Sequence, residues 1–142
     1  MIPLQNDQVA RAADLLARAF FDDPIFVYFF PGERTRLAQS RYTFRFLLNH
    51  ALKNGRVFCT SLRMEGVASW LPSSKTARGL IDEIRFGGIP MLVSQNAGAI
   101  RRQIKESGYM KKIHVRKITA TYWYFSTIGV DPEFRGKATA TD

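Results

Sequence analysis

The chain has 142 residues, of which 46% are hydrophobic and 13% aromatic, so one domain with a sizeable core is expected and a disordered chain is excluded. Its net charge of +9 favours a polyanionic partner such as nucleic acid, an anionic membrane or a phosphorylated small molecule. Cys59 is the only cysteine, which excludes an internal disulfide and favours a reducing compartment, so a cytoplasmic location is expected.

The first half of the chain predicts two helices. Apolar residues recur at three- and four-residue steps from Asp7 to Phe20, with Asn6 or Asp7 as the N-cap, and the helix is expected to end before Pro24. The segment from Glu33 to Asn54 has the same period, and Asn54-Gly55 is a typical helix stop. Its buried stripe is expected to be Leu37, Phe44, Leu47, Leu48 and Ala51.

The second half predicts a hairpin, further helices and a last strand. The β-rich stretches "RVFCTS" and "GVASWLP" predict the hairpin. Helices are expected at about 76–86, near 91–93 and at about 97–112. The stretch "ATYWYFSTIGV" is apolar on both faces, which favours a strand inside a sheet rather than at its edge. We find no linker, and residues 1–142 are expected to form one α/β or α+β layer domain.

A basic, glycine-containing turn follows the last strand. Gly129 lacks a side chain, which allows either a close approach by a ligand or a bulge in the strand. Asp131-Pro132 turns the chain, and Arg135, Gly136 and Lys137 place two cations around a flexible residue. Backbone N–H groups and positive charge there are suited to a pyrophosphate, although a short "RGK" alone is more often a solvated turn.

The longer string "WYFSTIGVDPEFRGK" closely resembles the fourth strand and acyl-CoA loop of the GNAT superfamily, the acyl-CoA-dependent N-acyltransferases. Residues 128–132 are similar to the family's strand end, and Arg135 matches the first position of its Q/R-x-x-G-x-G/A loop. Ala138 stands where that loop has its first glycine, and Ala140 satisfies its last position. "ARAFFDDPIFVYFFPG" and "GVASWLP" also look like segments of these enzymes.

The resemblance implies a mixed, mostly antiparallel sheet with flanking helices, truncated after the fourth strand. It implies acetyl-CoA as co-substrate and a small-molecule or peptide amine as acceptor. Two isolated histidines with one cysteine predict no metal site, and no apolar run approaches the ~20 residues that span a bilayer, so no membrane partner is expected. The cofactor-binding residues that the resemblance implies are Ile128, Gly129, Val130, Arg135, Gly136, Lys137, Ala138 and Ala140. Because the pyrophosphate-binding helix and the fifth strand of relatives would follow Asp142, we expect an incomplete domain that is weakly active or inactive.

The reaction needs a base for the acceptor ammonium and an acid for the departing thiolate. The sequence offers Tyr124 and Ser126, which alternate on one face of the last strand, and Glu65 at the hairpin, but no specific spacing selects any of them. For Tyr124, a packed sheet residue is the favoured interpretation. Asp22 and Asp23 lie in a loop that often borders the acceptor cleft in relatives, but a turn cap is the favoured interpretation of either residue.

Two rival interpretations remain open. The stretch "RRQIKESGYMKKIHVRK" holds seven Lys and Arg residues in seventeen positions, which is typical of a nucleic-acid-binding helix or of a solvated helix face. No recognition motif accompanies it, so nucleic acid is the less favoured partner. The third hypothesis is a non-catalytic remnant that forms a homodimer through an exposed fourth strand.

Overall fold

The computed structural model describes residues 1–75, 84–117 and 122–137. These residues form a mixed α+β fold with a four-stranded antiparallel sheet in the order β1-β2-β3-β4. The strands are β1 (Ile2–Pro3), β2 (Arg56–Cys59), β3 (Gly66–Pro72) and β4 (Trp123–Val130). The helices are α1 (Val9–Ala19), α2 (Pro24–Phe29), α3 (Glu33–Asn54), α4 (Gly88–Ser94) and α5 (Ala97–Lys117).

The first two predicted helices are present, with a difference at the start of α1. A short 3₁₀ turn, Asn6–Gln8, precedes α1, and the backbone N–H of Gln5 donates to Oε1 of Gln8 at 2.9 Å. Neither Asn6 nor Asp7 is therefore the N-cap, because the helical turn already begins with them. Helix α3 has the predicted bounds. Phe44, Leu48 and Ala51 of its stripe are buried, while Leu37 and Leu47 pack against the core from partly buried positions.

Helix α2 was not predicted, since the segment after Phe20 was interpreted as a loop. Asp23 is its N-cap, with Oδ1 accepting from the N–H of Ile25 at 2.9 Å, and Pro24 occupies the first helical position. Proline is favoured there because that N–H has no partner within a helix. The Asp-Pro pair that was expected to limit α1 therefore begins α2, and α1 already ends at Ala19.

Gly55 has a role that a helix stop does not explain. Its φ is −144°, so no left-handed backbone conformation requires glycine here. A Cβ at this position would lie 2.0 Å from the backbone oxygen of Trp70. Glycine is required because the chain passes from α3 into β2 at this point, in direct contact with the backbone of β3.

The predicted hairpin is present as β2 and β3, paired antiparallel with Val57 opposite Ser69 and Cys59 opposite Val67. Strand β1, which was not predicted, pairs antiparallel with β2. Helices α1 and α3 cover one face of this sheet with a core that includes Leu16, Phe44 and Val67.

The remaining helices agree in part with expectation. The short helix predicted near 91–93 is α4, and α5 continues to Lys117 rather than ending near 112. The helix predicted at about 76–86 falls largely outside the described residues.

Strand β4 is present, but it lies at an edge of the described sheet and not inside it. Its apolar residues on both faces led to the wrong expectation. One face contacts α1, whereas Trp123, Phe125 and Ile128 on the other face are exposed.

Candidate functional site

The carboxyl end of β4 is the part of the fold that the sequence singles out, and α1 packs directly against it. A Cβ on Gly129 would lie 2.6 Å from Cδ2 of Leu16 and 3.3 Å from a ring carbon of Phe20. Gly129 therefore lacks a side chain because α1 occupies that space. Neither a ligand nor a bulge is needed to explain this glycine, and the irregularity of β4 lies elsewhere, opposite Ser69 and Trp70.

Backbone hydrogen bonds show which groups of β4 point away from β3. The N–H of Asp131 donates to the oxygen of Glu65 at 2.8 Å, so Asp131 faces β3. The N–H of Thr60 donates to the oxygen of Gly66 at 3.0 Å, so Gly66, which lies opposite Val130, faces β2. Because successive residues of a strand direct their backbone groups to opposite sides, Gly129 faces β3 and Val130 faces outward.

The same alternation places the N–H and C=O of Ile128 on the outer side of β4. No strand among the described residues pairs with that side. Ile128 and Val130 therefore present main-chain donors and acceptors along an open edge, two residues apart. On the other side of the irregularity, the N–H of Ser73 donates to the oxygen of Tyr122 at 2.8 Å, so Tyr122 faces β3 and Phe125, three residues later, faces outward. We call the outward backbone groups of Phe125, Ile128 and Val130 the open edge of β4.

Asp131 fixes the turn that follows the strand. Its Oδ2 accepts a hydrogen bond from Nη2 of Arg18 on α1 at 2.5 Å, and its Oδ1 accepts from the N–H of Glu133 at 3.1 Å. Burial raises the pKa of this carboxyl, but the hydrogen bonds from Arg18 and Glu133 and the charges of Arg18 and Arg135 outweigh burial, so the pKa is lowered overall. Asp131 is therefore ionised at neutral pH and ties the end of β4 to α1.

The basic turn is ordered by contacts of its own. Nη2 of Arg135 donates to the backbone oxygen of Ala19 at the carboxyl end of α1, at 2.5 Å. Lys137 places its Nζ 5.4 Å from the centroid of the Phe134 ring. Gly136 has a φ of +78°, which favours glycine. Ala138 and Ala140 lie outside the described residues.

The three candidate bases do not converge on this end of the strand. Tyr124 is six residues before Val130 and Ser126 four residues before it, which places them about 20 Å and 13 Å away along the strand. The register of β3 with β4 leaves Ser126 without a partner. This irregularity breaks the alternation that was expected to put Tyr124 and Ser126 on one face.

Glu65 is adjacent to the strand end through its backbone, yet its carboxylate is engaged in the hairpin turn. Oε2 accepts hydrogen bonds from Oγ1 of Thr60 at 2.7 Å and from Oγ of Ser61 at 2.6 Å. The hydrogen bonds from Ser61 and Thr60 lower the pKa of Glu65. A carboxylate with a lowered pKa is a weaker base, so its position fits a role in the turn better than one in proton transfer.

The connection from α1 to α3, which includes α2, is stabilised by a buried arginine that was not identified from the sequence. Arg36 is 6% exposed, and it donates from Nε to the oxygen of Phe30 at 2.8 Å and from its two Nη atoms to the oxygens of Phe21 and Pro31, each at 3.2 Å. The guanidinium carbon also lies 4.9 Å from the centroid of the Phe21 ring. A charged residue such as Arg36 is expected at the solvent-exposed surface when only the sequence pattern is considered. Nothing in the neighbouring sequence indicates which carbonyl oxygens it binds.

The other features considered from sequence lie apart from β4. His50 is buried in α3 against Phe86, and Cys59 is 1% exposed, with burial raising the pKa of its thiol. A cavity of about 360 Å³ lies between the start of α1, α3 and the segment before α4, and it includes Tyr42 and Arg45. It shares no residue with β4. Within the described ranges, no cluster of His, Cys, Asp and Glu is suited to a metal ion.

Comparison with known proteins adds no identification. The sequence matches no model of a protein family, and a search of curated proteins returns no significant match. In the part of the chain that the structure describes, no helix combines the length and apolar character required to cross a bilayer.

Proposed function

We propose that this chain is a GNAT-like domain that takes acetyl-CoA as co-substrate and transfers its acetyl group to an amine. The observation that carries the proposal is the open edge of β4, whose free main-chain groups at Ile128 and Val130 lead directly into a turn with Arg135 and Lys137. A pantetheine arm contains two amides and is followed by a diphosphate. Main-chain groups on a strand edge suit the amides, and cations after that strand suit the diphosphate.

The chemistry that this arrangement supports is direct acyl transfer. The amine nitrogen attacks the thioester carbonyl, a C–N bond forms, the C–S bond breaks, the amine loses a proton and the thiolate gains one. The N–H of Val130 is the donor available to the oxyanion, because Gly129 directs its own N–H toward β3. A donor fixed in advance by the sheet needs no reorganisation as charge develops, which is usually the largest catalytic contribution.

The two cations of the turn, Arg135 and Lys137, differ in how readily they can contact a diphosphate. Arg135 donates to the carbonyl of Ala19, so contact with a diphosphate requires it to leave the end of α1. Lys137 lies beside the ring of Phe134 and forms no ion pair with a carboxylate of the described residues. Lys137 is therefore the stronger candidate for the diphosphate, and Arg135 is better suited to holding the turn.

The proposal is tested by binding of acetyl-CoA and of pantetheine, followed by the fluorescence of Trp70 and Trp123, the two tryptophans of the chain. Trp70 lies on β3 and Trp123 lies on β4. Saturable binding of acetyl-CoA is expected, with weaker binding of pantetheine because the diphosphate contacts are missing. Lys137→Ala is expected to weaken acetyl-CoA about tenfold and to leave pantetheine unchanged.

Lys53→Ala is the matched control, since it removes an exposed cation from the end of α3. It should leave both affinities at the wild-type value. Absence of acetyl-CoA binding at millimolar ligand, or an equal effect of the two lysine variants, would contradict the proposed function.

A further inference from the structure

The two edges of the described sheet differ in how well they are protected against pairing. Strand β1 has two residues and ends in Pro3, which has no N–H. Strand β4 has eight residues, "WYFSTIGV", without proline or charge. Short strands, prolines and charges are the usual means by which an edge avoids pairing with another chain. The β1 edge has such protection, and the β4 edge has none within its own strand.

The open edge of β4 has the backbone groups that pairing requires. Phe125, Ile128 and Val130 direct their N–H and C=O groups outward. The hydrogen bonds of Asp131 and Gly66 establish this for Ile128 and Val130, and the hydrogen bond from the N–H of Ser73 to the oxygen of Tyr122 establishes it for Phe125, on the other side of the irregularity. In the part of the chain that the structure describes, no strand lies beyond them. A further strand would satisfy these groups without disturbing the β3–β4 ladder.

The same residues expose apolar side chains on the face of the sheet opposite α1. Trp123 is 56% exposed, Phe125 42% and Ile128 50%. The ring of Phe125 lies 5.0 Å from that of Trp70, which lies 5.8 Å from Phe58, centroid to centroid. Together these side chains extend one apolar surface to the open edge, and contiguous surfaces of this kind mark interaction sites.

We propose that the open edge of β4 binds a second copy of this chain, as an antiparallel pair of β4 strands related by a two-fold axis. If the axis passes between Ser126 and Thr127, Phe125 of one copy lies opposite Ile128 of the other, and Trp123 lies opposite Val130. At each of these positions, residues whose backbone N–H and C=O groups point away from β3 then lie opposite one another. Each pair joins an aromatic and a β-branched side chain, which is a favourable cross-strand combination.

Charge favours a second copy over a different partner. The strand has no charged residue that would select a partner of the opposite sign, whereas its own outward residues are complementary to one another. The net charge of +9 on each copy opposes association at long range, and salt screens that repulsion. Association is therefore expected to strengthen as ionic strength rises, which is the reverse of binding to a polyanion.

The exposed area predicts a weak dimer. An aromatic side chain holds about 150–250 Å², so half-exposed rings contribute about 100 Å² each. The rings of Trp123 and Phe125 and the half-exposed Ile128, in each of two copies, bury no more than about 600 Å², below the roughly 1,200 Å² of stable interfaces. A reversible dimer with a Kd of roughly 100 µM is the expected result.

The test is sedimentation velocity between 10 µM and 1 mM protein, without ligand, at low and high salt. The mass is expected to rise from that of one 16.2 kDa chain toward twice that value. Ile128→Lys, which places a charge on the edge strand, should raise Kd at least tenfold. The control is Leu62→Lys, which adds the same charge at an apolar residue that is 76% exposed in the hairpin turn; it should leave association unchanged.

A wild-type chain that stays monomeric at 1 mM in high salt would overturn the proposal, as would equal weakening by the two lysine variants. If Ile128→Lys fails to fold, hydrogen exchange of the wild type decides instead. The amides of Ile128 and Val130 should gain protection as protein concentration rises. Unchanged exchange at these two positions would reject the dimer.

This dimer goes beyond the proposed function and occupies the edge that the function assigns to acetyl-CoA. The two are tested separately. Acetyl-CoA binding is measured at about 1 µM protein, well below the expected Kd of the dimer, and sedimentation is measured without ligand. Failure of one measurement therefore leaves the result of the other intact.

Discussion

The contact between Gly129 and Leu16 sets how closely helix α1 approaches the sheet. Leu16 is fully buried, and the space that a Cβ on Gly129 would need is already filled by its side chain and by Phe20. A glycine in a strand lowers β propensity, so its presence here reflects packing between layers. This contact also holds the end of β4, and with it Val130, at a fixed distance from α1.

Gly129→Ala is expected to destabilise the protein by about 1–3 kcal/mol, because a methyl group forced into a filled core displaces its neighbours. Urea unfolding followed by circular dichroism measures this change. Gly108→Ala is the control, since a Cβ there meets nothing within 4 Å and alanine is favoured in a helix such as α5. A Gly129→Ala protein as stable as wild type would show that α1 does not pack on β4 as described.

At the scale of elements, the predictable parts were those with a strong local pattern. Helix α3 and the β2–β3 hairpin follow from apolar periodicity, and β4 follows from its β-branched and aromatic residues. Helix α2 was missed because one Asp-Pro pair signals both a helix end and a helix start. The edge position of β4 depends on which strands pair with it, and no local pattern encodes that.

The candidate site shows the same division. The strand end, Asp131 and the basic turn could be located from sequence. The partners of that turn, Arg18 and the carbonyl of Ala19, lie more than a hundred positions earlier in the chain. Glu65 was proposed as a base from its place at the hairpin, but its hydrogen bonds to Thr60 and Ser61 depend on the conformation of the turn.

Arg36 is the residue that orders the connection containing α2. The guanidinium of Arg36 donates to three carbonyl oxygens that surround it. A lysine ammonium cannot reproduce this planar arrangement of donors. Arg36→Lys is expected to raise amide exchange of residues 21–32 at least tenfold, equivalent to about 1.4 kcal/mol of local stability. Hydrogen exchange with mass spectrometry measures it.

Arg34→Lys provides the control, because Arg34 is exposed in the same helical turn. Exchange in residues 21–32 should match wild type in that variant. If both variants loosen the segment equally, positive charge at the start of α3 is responsible and the carbonyl contacts are not.

For the molecule as a whole, two carboxylates link stability to pH. Hydrogen bonds lower the folded-state pKa of Asp131 and of Glu65, so below about pH 4 the unfolded chain binds more protons than the folded one. Their stabilising contribution is complete above that pH and is lost as pH falls toward the folded pKa values. The free energy of unfolding should therefore decrease from pH 6 to pH 3.

Asp131→Asn should make the free energy of unfolding fall less between pH 6 and pH 3. The same substitution should lower the free energy of unfolding by about 1–2 kcal/mol near neutral pH. Asp14→Asn is the control, because Asp14 pairs with Arg41 at 2.7 Å but both side chains are more than 40% exposed, where an ion pair contributes little. Urea unfolding of the three proteins at pH 6 and pH 3 makes the comparison. Equal slopes for wild type and Asp131→Asn would contradict the assignment.

The unpaired residue in β4 has a consequence for how this strand tolerates change. Phe125 and Ile128 both lie on the outer face because Ser126 interrupts the alternation between them. Removing Ser126 would therefore restore a regular strand without turning any other side chain to the opposite face, because Phe125 already lies opposite Trp70 and Thr127 opposite Ser69. Removing Gly129 instead would place a residue with a Cβ against Leu16, where that atom has no room. Deletion scanning along residues 123–130 should consequently find the chain that lacks Ser126 folded and the chain that lacks Gly129 unable to fold.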